Sequence, residues 1–177
     1  AEIEIAASRI HKLVGAVKGF TYMDQAAIPK PVDLARGLAD TLAVLNGKAR
    51  GRSLAVRLDV PADLPHVQGL GGELNQVWVN LIDNALDAAT GEVAVTARTH
   101  GSDVVVSVTD DGAGIPAERL ERIFDPFFTT KPVGQGTGLG LDIARRIIRK
   151  HRGDIVVNSR AGHTEFCVTL PVSAGAI

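Results

Sequence analysis

E-L-N-Q-V-W-V-N-L-I-D-N-A-L-D-A-A, residues Glu73 to Ala89, reads as one helix. The stretch holds no Pro or Gly, and its only β-branched residues before Leu81 are two valines, so its helix propensity is good. Leu74, Val77, Trp78, Leu81, Ile82, Ala85 and Ala89 recur at three- and four-residue steps, the spacing of a core-facing stripe. A second stripe is polar: Glu73, Gln76, Asn80, Asn84 and Asp87. Residues three and four apart share a helical face, so these side chains can address a common site. An ordinary solvated face favours Lys and Glu, whereas this one is largely amide and weakly charged. The amide oxygens of Asn80 and Asn84, one turn apart, can reach one bound ion or ligand.

Outward from this helix, the chain alternates between helical and strand patterns. Asp33 caps a predicted helix from Leu34 to about Leu45, stopped by Asn46-Gly47. Leu54, Val56, Leu58 and Val60 alternate as a strand, and Pro61 to Pro65 form a loop. Val93, Val95 and Ala97, then Val104, Val106 and Val108, make a hairpin through His100-Gly101-Ser102-Asp103. Pro116 opens a short helix to about Ile123, and a helix from Leu139 to Arg152 stops at Gly153. Ile155 to Asn158 and Glu165 to Leu170 make a second hairpin, with Phe166, Val168 and Leu170 on one side and Cys167 on the other. The order helix, strand, helix, hairpin, helix, hairpin predicts an α+β fold, an α/β two-layer sandwich. Its mixed sheet carries helices on one face.

A long N-terminal helix is expected before this unit. Ile3, Ala6, Ile10, Leu13, Val17, Phe20 and Ala27 keep heptad spacing, broken at Asp24, as in the seam of a coiled coil or helical hairpin. Pro29-Lys30-Pro31 is a stiff extended break. The expected division is residues 1–28 as one helical segment and 29–177 as a separate folded unit. The chain opens inside a helical pattern, so upstream domains are expected.

Composition narrows the function classes. A net charge of −1 gives no field favouring nucleic acid or an anionic membrane. The single Cys167 excludes an intrachain disulfide and a Cys-rich metal site, and suits the reducing cytoplasm. No apolar run approaches the roughly 20 residues of a membrane span. The basic run Arg145, Arg146, Arg149, Lys150 and Arg152 reads as a solvated face with favourable charge at a helix C-terminus.

Chemistry-bearing motifs follow the strands. In D-D-G-A-G (110–114), Asp110 ends a strand and can hold a carboxylate in a pocket; the exocyclic amino group of a purine would satisfy it. Gly134, Gly136, Gly138 and Gly140 alternate and feed a helix, so backbone N–H groups and a helix N-terminus make an anion site. Lys131 and Thr137 add a charge and a hydroxyl. Mg²⁺ shares its shell with substrate phosphates, so neutral amide ligands can suffice. Together these elements describe a magnesium-nucleotide site.

The residues resemble the ATP-binding domain of two-component sensor histidine kinases, in the superfamily shared with gyrase, Hsp90 and MutL. N-L-I-D-N-A (80–85) resembles the N box, D-D-G-A-G (110–114) the first glycine box, F-D-P-F-F (124–128) the F box and G-Q-G-T-G-L-G-L (134–141) the second glycine box. The resemblance covers about residues 32–172. It implies that Asn84 holds Mg²⁺, with Asn80 as a second candidate and Asp87 further along the site. Asp110 would recognise adenine, with Gly112, Gly114 and Ile115 shaping the pocket. Residues 125–137 resemble the mobile ATP lid, which Phe124, Phe127 and Phe128 anchor. Lys131 would approach the phosphates, and Gly136, Thr137, Gly138, Leu139 and Gly140 would wrap them.

In the hydrolysing relatives a Glu four residues before the magnesium-binding Asn activates water. Here that position is Asn80, and an amide is no general base at neutral pH. The resemblance therefore implies transfer of the γ-phosphoryl group to a histidine, with Asn80 and Lys131 in the catalytic set. His11 is followed by Lys12-Leu13-Val14, which does not match the family's acceptor box, so no phosphoacceptor is expected in this chain. Residues 1–27 resemble the second helix of the dimerisation hairpin. The implied partners are a second copy, through that hairpin, and the receiver domain of a response regulator. The parent could be membrane-anchored, with this part in the cytoplasm and no membrane contact of its own. The alternatives are a hydrolysing ATPase of the superfamily, a nucleotide-gated interaction module and an anti-sigma-type kinase.

Overall fold

The computed structural model describes residues 28–132 and 136–173. The expected seam over residues 1–27, His11 included, and Gly134 lie outside them.

The elements run β1 (Lys30–Val32), α1 (Leu34–Gly51), β2 (Ala55–Asp59), β3 (Val67–Gly69), α2 (Gly71–Ala88), β4 (Glu92–His100), β5 (Asp103–Asp110), α3 (Ala117–Leu120), α4 (Gly140–Lys150), β6 (Asp154–Arg160) and β7 (His163–Pro171). The main sheet has the order β2-β4-β5-β7-β6. The β2–β4 pair is parallel and the others antiparallel, so the sheet is mixed. The short strands β1 and β3 pair separately.

Alternation decides which sheet face is covered. Val93, Val95 and Ala97 of β4, Val104, Val106 and Val108 of β5, and Phe166, Val168 and Leu170 of β7 are all buried. They join Leu74, Val77, Trp78, Leu81, Ile82, Ala85 and Leu86 of α2 and Ile143, Ala144, Ile147 and Ile148 of α4 in one core. A strand's period of two and a helix's period of 3.6 thus meet across a single layer boundary. This is the expected α+β two-layer arrangement.

Several boundaries differ from expectation. Helix α1 does not stop at Asn46-Gly47 but continues to Gly51. A helical Gly costs roughly 1 kcal/mol, and the added turn offsets that by burying Ala49 and bringing Lys48 onto α2. Helix α3 ends at Leu120 rather than Ile123. Tight i→i+3 turns follow it, from Arg122 N to Arg119 O and from Asp125 N to Arg122 O, and they place Ile123 and Phe124 in the core. Strand β2 is exposed throughout despite its alternation, because it lies at the sheet edge.

Candidate nucleotide site

Helix α2 supplies the first wall. Asn84 accepts a hydrogen bond at Oδ1 from Lys131 Nζ at 3.1 Å. Lys131 also pairs with Asp87 Oδ2 at 2.5 Å, and the other oxygen of Asp87 pairs with Lys48 at 2.6 Å. Lys48 in turn bonds Asp83 Oδ1 at 2.5 Å. Burial pushes the Asp87 carboxyl up, but the hydrogen bonds and charges of Lys131 and Lys48 outweigh it and hold the group below the ordinary value. Asn80 lies further back along the helix, where a Cβ on Gly140 would stand 3.4 Å from its Oδ1. Its Nδ2 is buried with no hydrogen-bond partner among the described residues.

Glu73 does not join this group. It bonds Lys150 at 2.7 Å, and its other oxygen is 3.9 Å from His151 Nδ1. The polar stripe therefore divides, with Asn80, Asn84 and Asp87 towards the site and Glu73 against the C-terminal end of α4.

The second wall is the end of β5. Asp110 is 4% exposed, and its Oδ1 accepts the Gly112 amide at 2.9 Å. Burial raises its carboxyl above the ordinary value, with the neighbouring Asp111 acting in the same direction; the Gly112 hydrogen bond and His163 oppose it. Asp111 points the other way and accepts the amides of Thr90, Gly91 and Glu92. Those backbone hydrogen bonds hold its carboxyl below the ordinary range, and they tie the end of β5 to the exit of α2. A Cβ on Gly112 would meet the Ala88 carbonyl oxygen at 2.4 Å, so only Gly allows the two walls to approach this closely. Gly114 has φ +85°. The amide of Ile115 donates to Ser159 Oγ at 2.8 Å, anchoring the loop to β6.

The third wall is the entry to α4. Thr137 Oγ1 accepts the Leu139 amide at 3.3 Å. Gly138 has φ +67°, and its missing Cβ would lie 2.3 Å from the Phe127 carbonyl carbon. Thus the glycine run is folded against the F-box backbone. Phe124 is buried and meets Phe166 edge-on at 6.3 Å, whereas Phe127 is 74% exposed and Phe128 lies under the Arg122 guanidinium. Gly136 stands beside Thr129 and Lys131, which a Cβ would touch at 2.6 and 3.2 Å.

The structure thus brings Asn84, Asp87 and Lys131 together, and Asn80 together with Gly140. It sets Asp110 at the end of β5 and Gly112, Gly114 and Ile115 on the loop that follows. Among the described residues no group of three His, Cys, Asp or Glu could hold a metal ion. The Lys131 ammonium on Asn84 Oδ1 and Asp87 Oδ2 acts as a stand-in cation, and this oxygen pair fits a hard divalent ion that completes its shell with phosphate.

Sequence reasoning missed three features. Lys48 and Arg52 reach the C-terminal half of α2, with Arg52 donating to the carbonyls of Leu86 and Asp87. His151 is buried and bonds the amide of Leu70. The basic run on α4 is not simply a solvated face: Arg145 lies over the Phe124 ring, Arg146 pairs with Asp142 and Lys150 with Glu73. The Arg146–Asp142 pair lies within the helix, one turn apart, but the partners of Arg145 and Lys150 come from other elements, which a charge run does not signal.

Comparison with known proteins agrees with this geometry. The model of the histidine kinase-, DNA gyrase B- and HSP90-like ATPase family matches residues 69–174, and the chain belongs to that family. Within it, the chain belongs with the ATP-binding catalytic domains of sensor histidine kinases. It is 36% identical to the sensor histidine kinase ZraS of Escherichia coli strain K12, over 94% of this chain and 36% of that protein. It is also 36% identical to sporulation kinase E of Bacillus subtilis strain 168, over 78% of this chain and 19% of that protein. The chain therefore spans between a fifth and about a third of these two relatives. Among solved structures, the nucleotide-free catalytic domain of histidine kinase ThkA superposes with a TM-score of 0.75 at 32% identity, covering 82% of this chain and 97% of that one. Full-length ShkA in complex with AMPPNP gives 0.79 at 29% identity, covering 94% and 37%.

Proposed function

We propose that this chain is the catalytic part of a sensor histidine kinase that transfers the γ-phosphoryl group of ATP to a histidine upstream of it. The phosphoryl group then passes to the receiver domain of a response regulator. The observation that carries the choice of reaction is Asn80. It lies against the entry of α4, where a hydrolysing relative needs a carboxylate to activate water. An amide takes no proton at neutral pH, but the Nδ2 of Asn80, which has no partner among the described residues, is a donor that a phosphate oxygen would satisfy.

The remaining residues position and neutralise, which is most of what phosphoryl transfer asks of a protein. Asn84, with Asp87 beside it, would hold Mg²⁺, which supplies charge neutralisation to the phosphates when bound. Asp110 accepts a hydrogen bond from the adenine amino group, and Gly112, Gly114 and Ile115 shape the floor beneath the base. Gly136, Thr137, Gly138, Leu139 and Gly140 present backbone amides, a hydroxyl and a helix N-terminus to the phosphates. Lys131 adds positive charge to the same region. No helix among the described residues is long and apolar enough to cross a membrane, which accords with a domain working in the cytoplasm, where its ATP is. Dimerisation through residues 1–28 and a membrane-anchored parent are part of the same proposal.

The named curated relatives are sensor and sporulation kinases, which disfavours an anti-sigma-type module. The test against a hydrolysing ATPase is direct. The chain should bind MgATP at one site and release inorganic phosphate no faster than a control without protein. Sustained phosphate release would refute the role given to Asn80.

A further inference from the structure

Helices α2 and α4 pack against each other; they meet at one end and are bonded at the other. At one end, Gly140 opens α4 against Asn80. At the other, the C-terminal residues of α4 reach the start of α2, through Lys150 to Glu73 and His151 to Leu70. The two helices therefore run antiparallel, and their register sets the distance from the glycine-rich entry of α4 to the amides of Asn80 and Asn84.

His151 is the buried member of the far tie. The Leu70 amide donates to its Nε2 at 3.0 Å, so that nitrogen carries no proton. Its Nδ1 then carries the ring proton and donates to the Ile147 carbonyl at 2.8 Å. One bond fixes the ring to its own helix and the other grips a different one. The grip answers a local need, since Leu70 caps α2 without any side-chain hydrogen bond of its own. The ring also fills its space: a Cβ on Gly69 would lie 2.5 Å from His151 Cδ2.

We propose that His151 is a positioning residue for the phosphate half of the nucleotide site, acting through its bond to Leu70. It lies roughly 16 Å from the entry of α4, at about 1.5 Å per helical residue, and touches no substrate. Because α4 is a stiff rod, slip at the Leu70 bond moves the phosphate-facing entry by the same amount. A displacement on the order of 1 Å carries a hydrogen bond of normal length out of range, which for a bond to a charged phosphate loses about tenfold in affinity. Adenine, in contrast, would be held by Asp110 and Gly112 at the end of β5, an element that the His151–Leu70 bond does not touch.

The inference rests on the nucleotide reading above, and its test separates the two. Binding of adenosine and of MgAMPPNP is measured by calorimetry for the parent chain and for His151→Asn, His151→Gln and Glu73→Gln. Asn can bond Ile147 but falls short of Leu70, whereas Gln places an acceptor where Nε2 was. The expected result for His151→Asn is a loss of about tenfold or more in MgAMPPNP affinity with adenosine affinity unchanged. His151→Gln should restore most of the loss. Glu73→Gln, which loosens the same tie from its outer side, should show a smaller loss with the same split, and it keeps the test usable if His151→Asn does not fold. Equal loss for both ligands, no loss in any variant, or failure of Gln to rescue would overturn the proposal. A parent chain that binds no MgAMPPNP would overturn the nucleotide reading itself, and this proposal with it.

Discussion

Asp110→Asn separates function from stability in opposite directions. In the parent chain, Asp110 Oδ1 is engaged by the Gly112 amide at 2.9 Å, which leaves the second oxygen for the adenine amino group. A hydrogen bond to a charged group is worth about 1.5–3 kcal/mol. Asn keeps an oxygen for Gly112 and so turns its NH₂ towards the base, where donor faces donor. The loss should lie near the top of that range, about 3 kcal/mol or on the order of 100-fold in dissociation constant. Guanine presents an acceptor at the same position, so the preference for adenine over guanine nucleotides should collapse.

Stability should move the other way. Burial raises the folded-state carboxyl above the ordinary 3.8. The folded state then binds the proton more tightly than the unfolded chain, so stability falls as pH rises through that raised value. At neutral pH the ionised group is a cost that Asn removes. The variant should therefore melt in urea at or above the parent midpoint, as read by the fluorescence of Trp78, the single Trp and fully buried. An unaltered adenine-to-guanine preference would refute the base-recognition role. A lower midpoint would refute the burial argument.

Three further outcomes follow from the same geometry. Gly114→Ala puts a Cβ at φ +85° and 2.3 Å from the Arg160 carbonyl oxygen, so it should cost about 2–3 kcal/mol; an unchanged urea midpoint would contradict the strain. Asp111→Asn should be less stable than the parent at neutral pH. Because backbone hydrogen bonds depress the Asp111 carboxyl, its contribution is present above the ordinary 3.8 and fades as pH falls through the depressed value. The two urea midpoints should converge in acid, and a gap independent of pH would rule out this origin. Asn84→Asp adds a second carboxylate beside Asp87 and should hold the Lys131 ammonium more tightly against α2, with MgATP affinity reduced by roughly tenfold; equal affinity in calorimetry would remove Asn84 from the ion site.

The parts of this fold legible from sequence were those governed by local periodicity. The apolar stripe of α2 is buried position by position, from Leu74 to Ala89, because the 3.6-residue period leaves one way to face a sheet. The valines of β4 and β5 were equally plain. The polar stripe was only partly legible. Glu73 and Asp87 are 14 residues apart, about 21 Å along a helix, too far to serve one pocket, and Glu73 belongs to the junction with α4. Lys48, Arg52 and His151 gave no signal because their partners are tertiary. Lys48 becomes part of the site only when α1 runs past Asn46-Gly47, where packing of Ala49 overrides a local stop. In the candidate site, residue types supplied the roles proposed above, Asn for a neutral ion ligand and Asp110 for a base edge, and they signalled the close backbone approach at Gly112 and Gly114. They did not forecast that Lys131 would rest on Asn84 and Asp87.

The most direct test is transfer from γ-labelled ATP, comparing this chain with one extended N-terminally through the preceding helix. The account predicts label only on the longer chain, labile in acid and stable in base, as expected of a phosphohistidine. Label on neither chain while both bind ATP would contradict the kinase reading and point to a nucleotide-gated interaction module, or to a kinase acting on another protein.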